Sequence, residues 1–331
     1  MEYFSTFISG LQEVIRDILS KTLDDVNIIG LYDGAVHYAT AKPFGDIQFY
    51  CFNNTFRVID VFKTTSAKPI EAHLKKCTDS KIKFSDMSGV KNNKTFRIVT
   101  SYENNLIAID NDLKSKMEKL IEYDTGLTLN RSIADTEYWY LYRSEKISYF
   151  MQRLTRHKAY NKKLKKGELS PELAYILNWI SDPSETDIMI DPFCGHGSIP
   201  IQRMKHFKTK KIYAFDIDGS LSSDFSNGNN IIFKKIDIKK LADALFNGCA
   251  DKIVTDPPWG LYKDENITDL YNDMMKNFDS VLKKGGIAVI LTARKNEFID
   301  ILTKFDSFKL LNEYSILVSG KKAGVYKLMK I

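Results

Sequence analysis

The stretch 188–201, with the sequence IMIDPFCGHGSIPI, decides how the second half of the chain folds. Its first residues are apolar up to Asp191, which is typical of a strand buried in a parallel sheet. Gly195 and Gly197 follow, and glycines there allow a tight turn whose backbone approaches a ligand closely. A helical pattern begins directly after them. The stretch therefore predicts a strand, a glycine-rich turn and a helix.

A second stretch, 252–260 with the sequence KIVTDPPWG, predicts a strand that ends at an acid and two prolines. Strands alternate with helical patterns from 187 onward, which predicts a parallel, doubly wound sheet covered on both faces. The stretch 268–286 predicts a long helix that ends at a glycine, and 319–324 predicts the turn of a terminal hairpin. The C-terminal half is therefore expected to be a Rossmann-like α/β domain.

The first 150 residues mix short strands and helices without strict alternation. Residues 3–9 predict a strand, and helical spacing follows at Leu11, Val14, Ile15, Ile18 and Leu19. This order is typical of α+β modules with helices on one face of a sheet. We predict a ferredoxin-like module at 1–65, a second module at 66–150, a basic linker at 151–170 and the Rossmann-like domain at 171–331.

Composition limits the class of protein. The chain has 331 residues, of which 44% are hydrophobic, and its net charge of +6 is compatible with a nucleic-acid partner. The N-terminus carries acids and lacks a long apolar run, so we expect no signal peptide and no membrane partner. The four cysteines form no CxxC pair, and we find none near a histidine at metal-ligand spacing. We therefore expect reduced thiols, a cytoplasmic protein and no metal site.

Residues 153–166, with the sequence RLTRHKAYNKKLKK, contain seven Lys or Arg within fourteen positions. Such a charge run is commonly a solvated linker. Its place directly before the Rossmann-like domain equally suits contacts with nucleic-acid phosphates. The predicted RNA-binding residues are Arg153, Arg156, Lys158, Lys162, Lys163, Lys165 and Lys166.

Acids also end the two strands that follow the glycine turn. Asp216 lies about twenty residues after the turn, where a carboxylate can accept hydrogen bonds from two ribose hydroxyls. Asp237 ends the third strand and is placed to accept from an adenine amino group. Pro200 stands where a dinucleotide fingerprint has its third glycine, which disfavours a pyrophosphate ligand. The predicted cofactor-binding residues are Asp191, Pro192, Phe193, Cys194, Gly195, His196, Gly197, Asp216, Ile217, Asp237, Ile238 and Asp256.

The tetrapeptide Asp256, Pro257, Pro258 and Trp259 is the predicted catalytic element. A carboxylate oxygen and a proline carbonyl make two acceptors, which suit an exocyclic NH₂ group with its two hydrogens. Trp259 offers a flat face on which a base can stack. The alternative is a rigid Pro-Pro turn beside a core tryptophan. His196 lies inside the glycine turn, and we interpret it as lining the site rather than as a base.

DPFCGHGSIPI followed by DPPWG resembles the amino-directed, S-adenosylmethionine-dependent methyltransferases. The layout of α+β modules, basic segment and Rossmann-like domain is similar to the THUMP-containing RNA guanine-N2 methyltransferases. This resemblance implies a THUMP-type module at 66–150, S-adenosylmethionine as cofactor, and the roles above for Asp216, Asp237 and the tetrapeptide. Two departures stand out. His196 replaces a small hydroxyl residue, and 220–230 is too short for the usual helix.

The resemblance implies methyl transfer to guanosine N2 in structured RNA, with tRNA favoured over rRNA as the partner and a monomer favoured as the oligomeric state. An adenine-N6 methyltransferase on RNA or DNA is the nearest alternative, because the DPPW tetrapeptide occurs in that group too. A non-catalytic RNA-binding protein with a vestigial cofactor fold is a further alternative. A nicotinamide oxidoreductase is disfavoured by the missing glycine.

Overall fold

The computed structural model describes residues 1–80, 82, 84, 94–155, 164–165, 167–219, 230–260, 266–318 and 320–331. The strands are β1 (Glu2–Thr6), β2 (Asn27–Tyr32), β3 (Ala35–Ala39), β4 (Asn54–Lys63), β5 (Thr95–Tyr102), β6 (Asn105–Leu106), β7 (Thr128–Leu129), β8 (Thr136–Arg143), β9 (Ile147–Arg153), β10 (Ile188–Asp191), β11 (Lys211–Asp216), β12 (Ile231–Lys235), β13 (Ala250–Thr255), β14 (Leu282–Thr292), β15 (Phe308–Val318) and β16 (Lys321–Lys330). The α-helices are α1 (Gln12–Thr22), α2 (Pro69–Asp79), α3 (Asn111–Thr125), α4 (Pro171–Ile180), α5 (Ser198–His206), α6 (Leu241–Ala244), α7 (Ile267–Val281) and α8 (Lys295–Leu302). Two 3₁₀ turns, Phe44–Asp46 and Ile238–Lys240, complete the set in the described ranges.

The N-terminal half forms one nine-stranded sheet in the order β2-β3-β1-β4-β9-β8-β5-β6, with β7 paired to β5. β4 pairs antiparallel with β9, so strands from either side of residue 65 share this sheet. The tight turn between β8 and β9 contains Lys146, whose φ is +62°. The expected boundaries at 65, 150 and 170 stay predictions, because a shared sheet does not by itself divide the chain.

The C-terminal half forms a seven-stranded sheet in the order β12-β11-β10-β13-β14-β16-β15. The strands from β12 to β14 run parallel, and β16 and β15 are antiparallel. The Rossmann-like fold with a terminal hairpin is thereby confirmed. The chain order reverses between β10 and β13, and ligands of open α/β sheets bind where the strand order reverses, beyond the carboxyl ends of the strands.

The long helix α7 ends earlier than its sequence predicted. Its last residue is Val281, and Leu282 is extended with φ −77° and ψ 137°. Buried Leu282 pairs with Ala250 of β13, so the chain enters the sheet at once. Gly285, at φ +78°, lies in an irregular stretch of β14, where the pairing register with β13 shifts. The predicted glycine C-cap was therefore wrong, because burial of Leu282 in the sheet outweighed the local signal.

One hydrophobic core joins the two halves of the molecule. It contains Leu11 and Ile15 from the first helical stretch together with Leu173 and Met189 from the second half. The Trp179 Nε1–H donates to Asp17 Oδ2 at 2.8 Å across the same boundary. Burial of apolar side chains from both halves therefore stabilises their mutual placement. Among the described helices, none combines the length and hydropathy that crossing a bilayer requires.

Candidate active site

The ends of β10 and β13 lie side by side and are tied together by a buried carboxyl group. Asp191 is 1% exposed, and its Oδ1 accepts from the Thr255 hydroxyl at 2.7 Å and from the Phe193 N–H at 3.3 Å. Thr255 is the last residue of β13 and is fully buried. This bond sets the distance between the two turns that follow the strands.

The turn after β10, residues 191–197, is called the glycine turn below. Gly195 and Gly197 have φ values of +49° and +81°, a region that other residues enter only with strain. The Gly195 N–H donates to Asp216 Oδ2 at 2.9 Å, and the Cys194 N–H donates to the Phe215 carbonyl at 2.9 Å. A Cβ on Gly195 would meet no atom within 4 Å, so the turn faces open space. A ligand can therefore approach this backbone closely.

The predicted nucleoside residues line the neighbouring strand ends. Asp216 is half-buried at the end of β11, and its Oδ1 accepts from the Asp218 N–H at 3.0 Å. Ile217 beside it is 62% exposed and offers an apolar surface for a planar ring. Asp237 is half-buried and caps the 3₁₀ turn through the Lys239 N–H at 3.0 Å. Pro192 and Ile238 are buried behind these groups.

Residues 256–260 after β13 are called the proline turn below. The Asp256 Oδ1 accepts from the Trp259 Nε1–H at 2.9 Å, which fixes the indole plane and leaves Oδ2 for another donor. Pro257 is buried and Pro258 is exposed. Neither proline has an N–H, so this turn offers acceptors and few donors. Such a set suits an amino group with two hydrogens, and the catalytic role of the tetrapeptide stays a prediction.

Three residues that the sequence analysis missed support the proline turn. The Tyr271 hydroxyl on α7 donates to the Pro258 carbonyl at 3.1 Å and lies 2.7 Å from the Thr292 hydroxyl at the end of β14. The Arg294 Nε–H donates to the Trp259 carbonyl at 2.7 Å. No motif contains these residues. The only available signal was position, since Thr292 ends β14 and Arg294 follows it, beside the end of β13.

Burial raises the pKa values of both acids at the strand ends. The pKa of Asp256 is raised to about 8, chiefly by burial and also by the neighbouring Asp191 carboxylate, against the opposing bond from Trp259. The pKa of Asp191 is raised to about 7, again chiefly by burial. Two acids with raised pKa values in one cleft are typical of a functional site. The Asp256 carboxyl is therefore held close to its ionisation point near neutral pH.

Cys194 and His196 in the glycine turn take different positions. Cys194 is buried, and burial raises the pKa of its thiol above the usual range, which keeps the thiol protonated and unreactive. His196 is half-buried, and its Nδ1 lies 3.3 Å from the Lys165 Nζ. Lys165 belongs to the predicted basic linker, so that segment reaches the glycine turn.

Of the other residues predicted to bind RNA, the structure describes Arg153 alone. The Arg153 guanidinium donates to Glu137 at 2.8 Å, to Asn54 at 2.6 Å and to the Thr155 carbonyl at 2.8 Å. These bonds already satisfy it within the protein. The other predicted RNA-binding residues lie outside the described residues: Arg156, Lys158, Lys162, Lys163 and Lys166. Most of 220–230, the stretch predicted to be too short for the usual helix, also lies outside them.

A histidine does lie near a cysteine, contrary to the reading of the sequence. His73 and Cys77 are one helical turn apart on α2, and with Asp60 their potential ligand atoms lie within 4.8 Å of one another. His73 bonds Asp60 at 2.8 Å and the Ser148 hydroxyl at 2.7 Å, so both ring nitrogens are engaged. The Lys76 ammonium also contacts Asp60, where a cation would bind. The cluster is therefore a buried polar network between α2 and the sheet.

Comparison with known proteins gives the family. Residues 158–218 and 222–322 match the UPF0020 family, described as an RMKL-like methyltransferase domain. A probable tRNA (guanine(10)-N2)-dimethyltransferase of Methanothermococcus thermolithotrophicus is 30% identical over 163 residues, which cover 43% of this chain and 94% of the relative. A tRNA (guanine(6)-N2)-methyltransferase of Methanocaldococcus jannaschii is 20% identical over 207 residues, and the chain spans 54% of its length.

A solved structure extends the likeness to the whole chain. The fold matches TrmN from Thermus thermophilus with a TM-score of 0.81 at 18% identity, covering 100% of this chain and 99% of that one. Identity at this level shows the fold alone. The family match covers both the glycine turn and the proline turn, and the archaeal relative is matched over nearly its whole length. The chain therefore belongs to the UPF0020 family of RMKL-like methyltransferases.

Proposed function

We propose that the protein transfers a methyl group from S-adenosylmethionine to the exocyclic N2 amino group of a guanosine in structured RNA, with tRNA as the favoured substrate. The observation that carries the proposal is the Asp256 carboxyl group, half-buried beside Pro257 at the carboxyl edge of the sheet. Its Oδ2 is free of the Trp259 bond that occupies Oδ1. The substrates named for the archaeal relatives support guanine over adenine.

The cofactor side of the proposal depends on the chemistry of the glycine turn. Gly195 leaves open space where a side chain would stand, and half-buried Asp216 offers a charged acceptor for ribose hydroxyls. Exposed Ile217 suits contact with an adenine ring, and Asp237 is the acceptor for its amino group. These residues fit a nucleoside without requiring a pyrophosphate site. When bound, S-adenosylmethionine supplies an electrophilic methyl group on a sulfonium sulfur.

The acceptor side depends on Asp256 and Pro257. One amino hydrogen of the base is donated to Asp256 Oδ2 and the other to the Pro257 carbonyl, which turns the nitrogen lone pair out of conjugation and toward the methyl group. Transfer from a bound sulfonium would form the N–C bond and leave the electron pair of the broken S–C bond on sulfur. The nitrogen then carries a positive charge and releases a proton. Asp256, whose pKa is raised to about 8 by burial, accepts it.

RNA recognition is proposed for the N-terminal half and the basic segment. Lys165 lies at the glycine turn, and further Lys and Arg precede it in sequence. The guanosine must leave the base stack to reach the site, and a lysine there can neutralise a phosphate beside it. We further propose the THUMP-type assignment of 66–150, a monomer and a cytoplasmic location. The four cysteines, all buried and free, suit a reducing compartment.

The test is a product analysis with labelled S-adenosylmethionine and three substrates: bulk tRNA, rRNA and DNA. We expect label in tRNA and N2-methylguanosine in the nucleoside digest. Label confined to rRNA would show that the substrate is rRNA instead of tRNA, with the same class of reaction. N6-methyladenine in the digest, or label in DNA alone, would contradict the guanine assignment. Absence of any cofactor binding would support the non-catalytic alternative.

A further inference from the structure

The proline turn cannot hold itself in place. Pro257 and Pro258 have no N–H, so the turn lacks the amide donors with which most tight turns close. Two of its carbonyls instead accept bonds from distant residues: Pro258 from the Tyr271 hydroxyl at 3.1 Å, and Trp259 from the Arg294 Nε–H at 2.7 Å. Among the other carbonyls of the turn, that of Pro257 accepts no hydrogen bond from the described residues, which suits it to serve as an acceptor for a ligand.

The hydrogen bonds that end at the Pro258 carbonyl form a chain, and the donor and acceptor of each bond in it can be assigned. A carbonyl only accepts, so the single Tyr271 hydroxyl proton points to Pro258. The Thr292 hydroxyl, 2.7 Å from the Tyr271 oxygen, must then donate to it. The Thr292 oxygen accepts in turn from the Arg294 N–H at 2.9 Å. The chain therefore runs one way, from the Arg294 amide through two hydroxyls to the Pro258 carbonyl.

Burial makes this chain of hydrogen bonds rigid. Tyr271 and Thr292 are both 0% exposed, so water cannot replace either hydroxyl. Bonds in such a chain polarise one another in a low-dielectric interior, and loss of one member leaves a buried group unpaired. Arg294 begins the chain with its backbone and holds the Trp259 carbonyl with its side chain. One residue therefore holds the proline turn at two consecutive carbonyls.

We propose that Tyr271, Thr292 and Arg294 are positioning residues that orient the proline turn so that the Asp256 carboxylate and the Pro257 carbonyl converge on the acceptor amino group. This inference rests on the proposed function. In this role the three residues need no contact with cofactor or base. They hold the Pro258 and Trp259 carbonyls, which follow the two acceptors in sequence, and Trp259 transmits that placement to Asp256 through its Nε1–H bond at 2.9 Å.

The kinetic test compares two substitutions at one position. Thr292→Val keeps the shape and removes the hydroxyl, whereas Thr292→Ser keeps the hydroxyl. We expect Thr292→Val and Tyr271→Phe to lower kcat ~10- to 100-fold, because small misplacements of reacting groups have effects of that size. The KM for tRNA and the cofactor Kd by calorimetry are expected to stay within about twofold, and Thr292→Ser to retain most of kcat. Tyr326→Phe is the control, because Tyr326 is buried in the same core cluster as Tyr271 but takes no part in this chain of hydrogen bonds.

A spectroscopic readout separates positioning from general destabilisation. The chain has three tryptophans, at 139, 179 and 259, and 5-fluorotryptophan labelling gives each a ¹⁹F resonance. Trp259→Phe assigns the relevant one. We expect Thr292→Val and Tyr271→Phe to shift or broaden the Trp259 resonance and to leave the other two unchanged. Arg294→Met is the second probe, since Arg294 is only half-buried and its loss opens no core cavity. It is expected to move the same resonance and to lower kcat.

Each outcome decides the proposal. An undisturbed Trp259 resonance, a kcat unchanged without the hydroxyls, or an equal loss in Thr292→Ser would overturn it. Equal shifts at all three tryptophans would indicate general destabilisation and would overturn it too. If the unmodified protein transfers no methyl group to RNA, the proposed function fails. The ¹⁹F comparison still decides in that case whether these residues orient the proline turn.

Discussion

The glycine turn and the proline turn end neighbouring strands of the same sheet, yet they are held in opposite ways. The glycine turn uses its own amides: Gly195 donates to Asp216, and Cys194 donates to the Phe215 carbonyl. The proline turn has no such amides at its centre and is held by side chains from α7, β14 and Arg294. A turn that closes with its own amides therefore differs from one that must present its carbonyls as acceptors. The first is built from glycine, and the second needs support from outside.

The largest expected effect is the loss of the charged acceptor in the proline turn. Asp256→Asn should lower kcat ~10²- to 10³-fold, the size seen when one preorganised polar contact to a transition state is removed. The cofactor Kd should change little, because the glycine turn is untouched. Asp243→Asn, an exposed acid on α6, is the control. Full turnover by Asp256→Asn would contradict the acceptor assignment.

The matching change in the glycine turn should affect binding instead. Asp216→Asn replaces the charged acceptor of the Gly195 N–H and of the proposed ribose hydroxyls. We expect the cofactor Kd to rise ~10- to 100-fold, as for the loss of hydrogen bonds to a charged group. The kcat at saturating cofactor should fall much less. Calorimetry and saturation kinetics measure the two effects, and a kcat loss without a Kd change would reverse the division of roles.

The pH dependence of stability sharpens the same comparison. The pKa of Asp256 is raised to about 8 in the folded protein by burial, so the folded state binds a proton that the unfolded chain has already released. Stability should therefore fall as the pH rises from the unfolded carboxyl pKa to about 8, and then level off. Asp256→Asn lacks this contribution.

Thermal unfolding of both proteins between pH 5 and pH 8 measures this contribution. That range lies between the ordinary carboxyl pKa of the unfolded chain and the folded pKa of about 8. We expect the Tm of the variant minus that of the unmodified protein to increase with pH. A difference that stays constant would show that Asp256 is ionised throughout, with an ordinary pKa.

The smallest expected effect lies at the edge of the glycine turn. Lys165→Ala should weaken tRNA binding only a few-fold and reduce the slope of log K against log salt by about 1, the signature of one lost phosphate contact. Lys304→Ala, an exposed lysine that follows α8, is the control. A salt slope that does not change would exclude a phosphate contact for Lys165 and would leave its contact with His196 as its role.

The two turns also differ in how far the sequence could predict them. The residues of the glycine turn are adjacent or follow the next strand, so spacing alone located Gly195, Gly197 and Asp216. The supports of the proline turn lie 13 residues away at Tyr271 and 35 residues away at Arg294. Tyrosine, threonine and arginine occur in many helices and strand ends. Only the packing of α7 against β14 gives these three a common target.

The fold shows the same division between local and distant determinants. Alternating strands and helices predicted the parallel sheet, because each unit carries its own periodicity. The joining of β4 to β9 could not be predicted, since nothing local specifies that two strands pair across 84 to 97 residues of chain. The end of α7 at Val281 was missed for a related reason, because the partner that draws Leu282 into the sheet is Ala250 of another strand.

The core shared by both halves has a consequence for how the protein is made. Gly10 lies so close to the Ser315 carbonyl that a side chain there would collide with it, and Leu11 belongs to the same core cluster as Val325. Residues 10 and 11 thus pack against β15 and β16, which are translated much later. Such distant contacts slow folding, because long loops must close before the contacts form. Until β15 and β16 have been synthesised, the apolar face around Leu11 lacks part of its cover, and exposed apolar surface of this kind promotes aggregation.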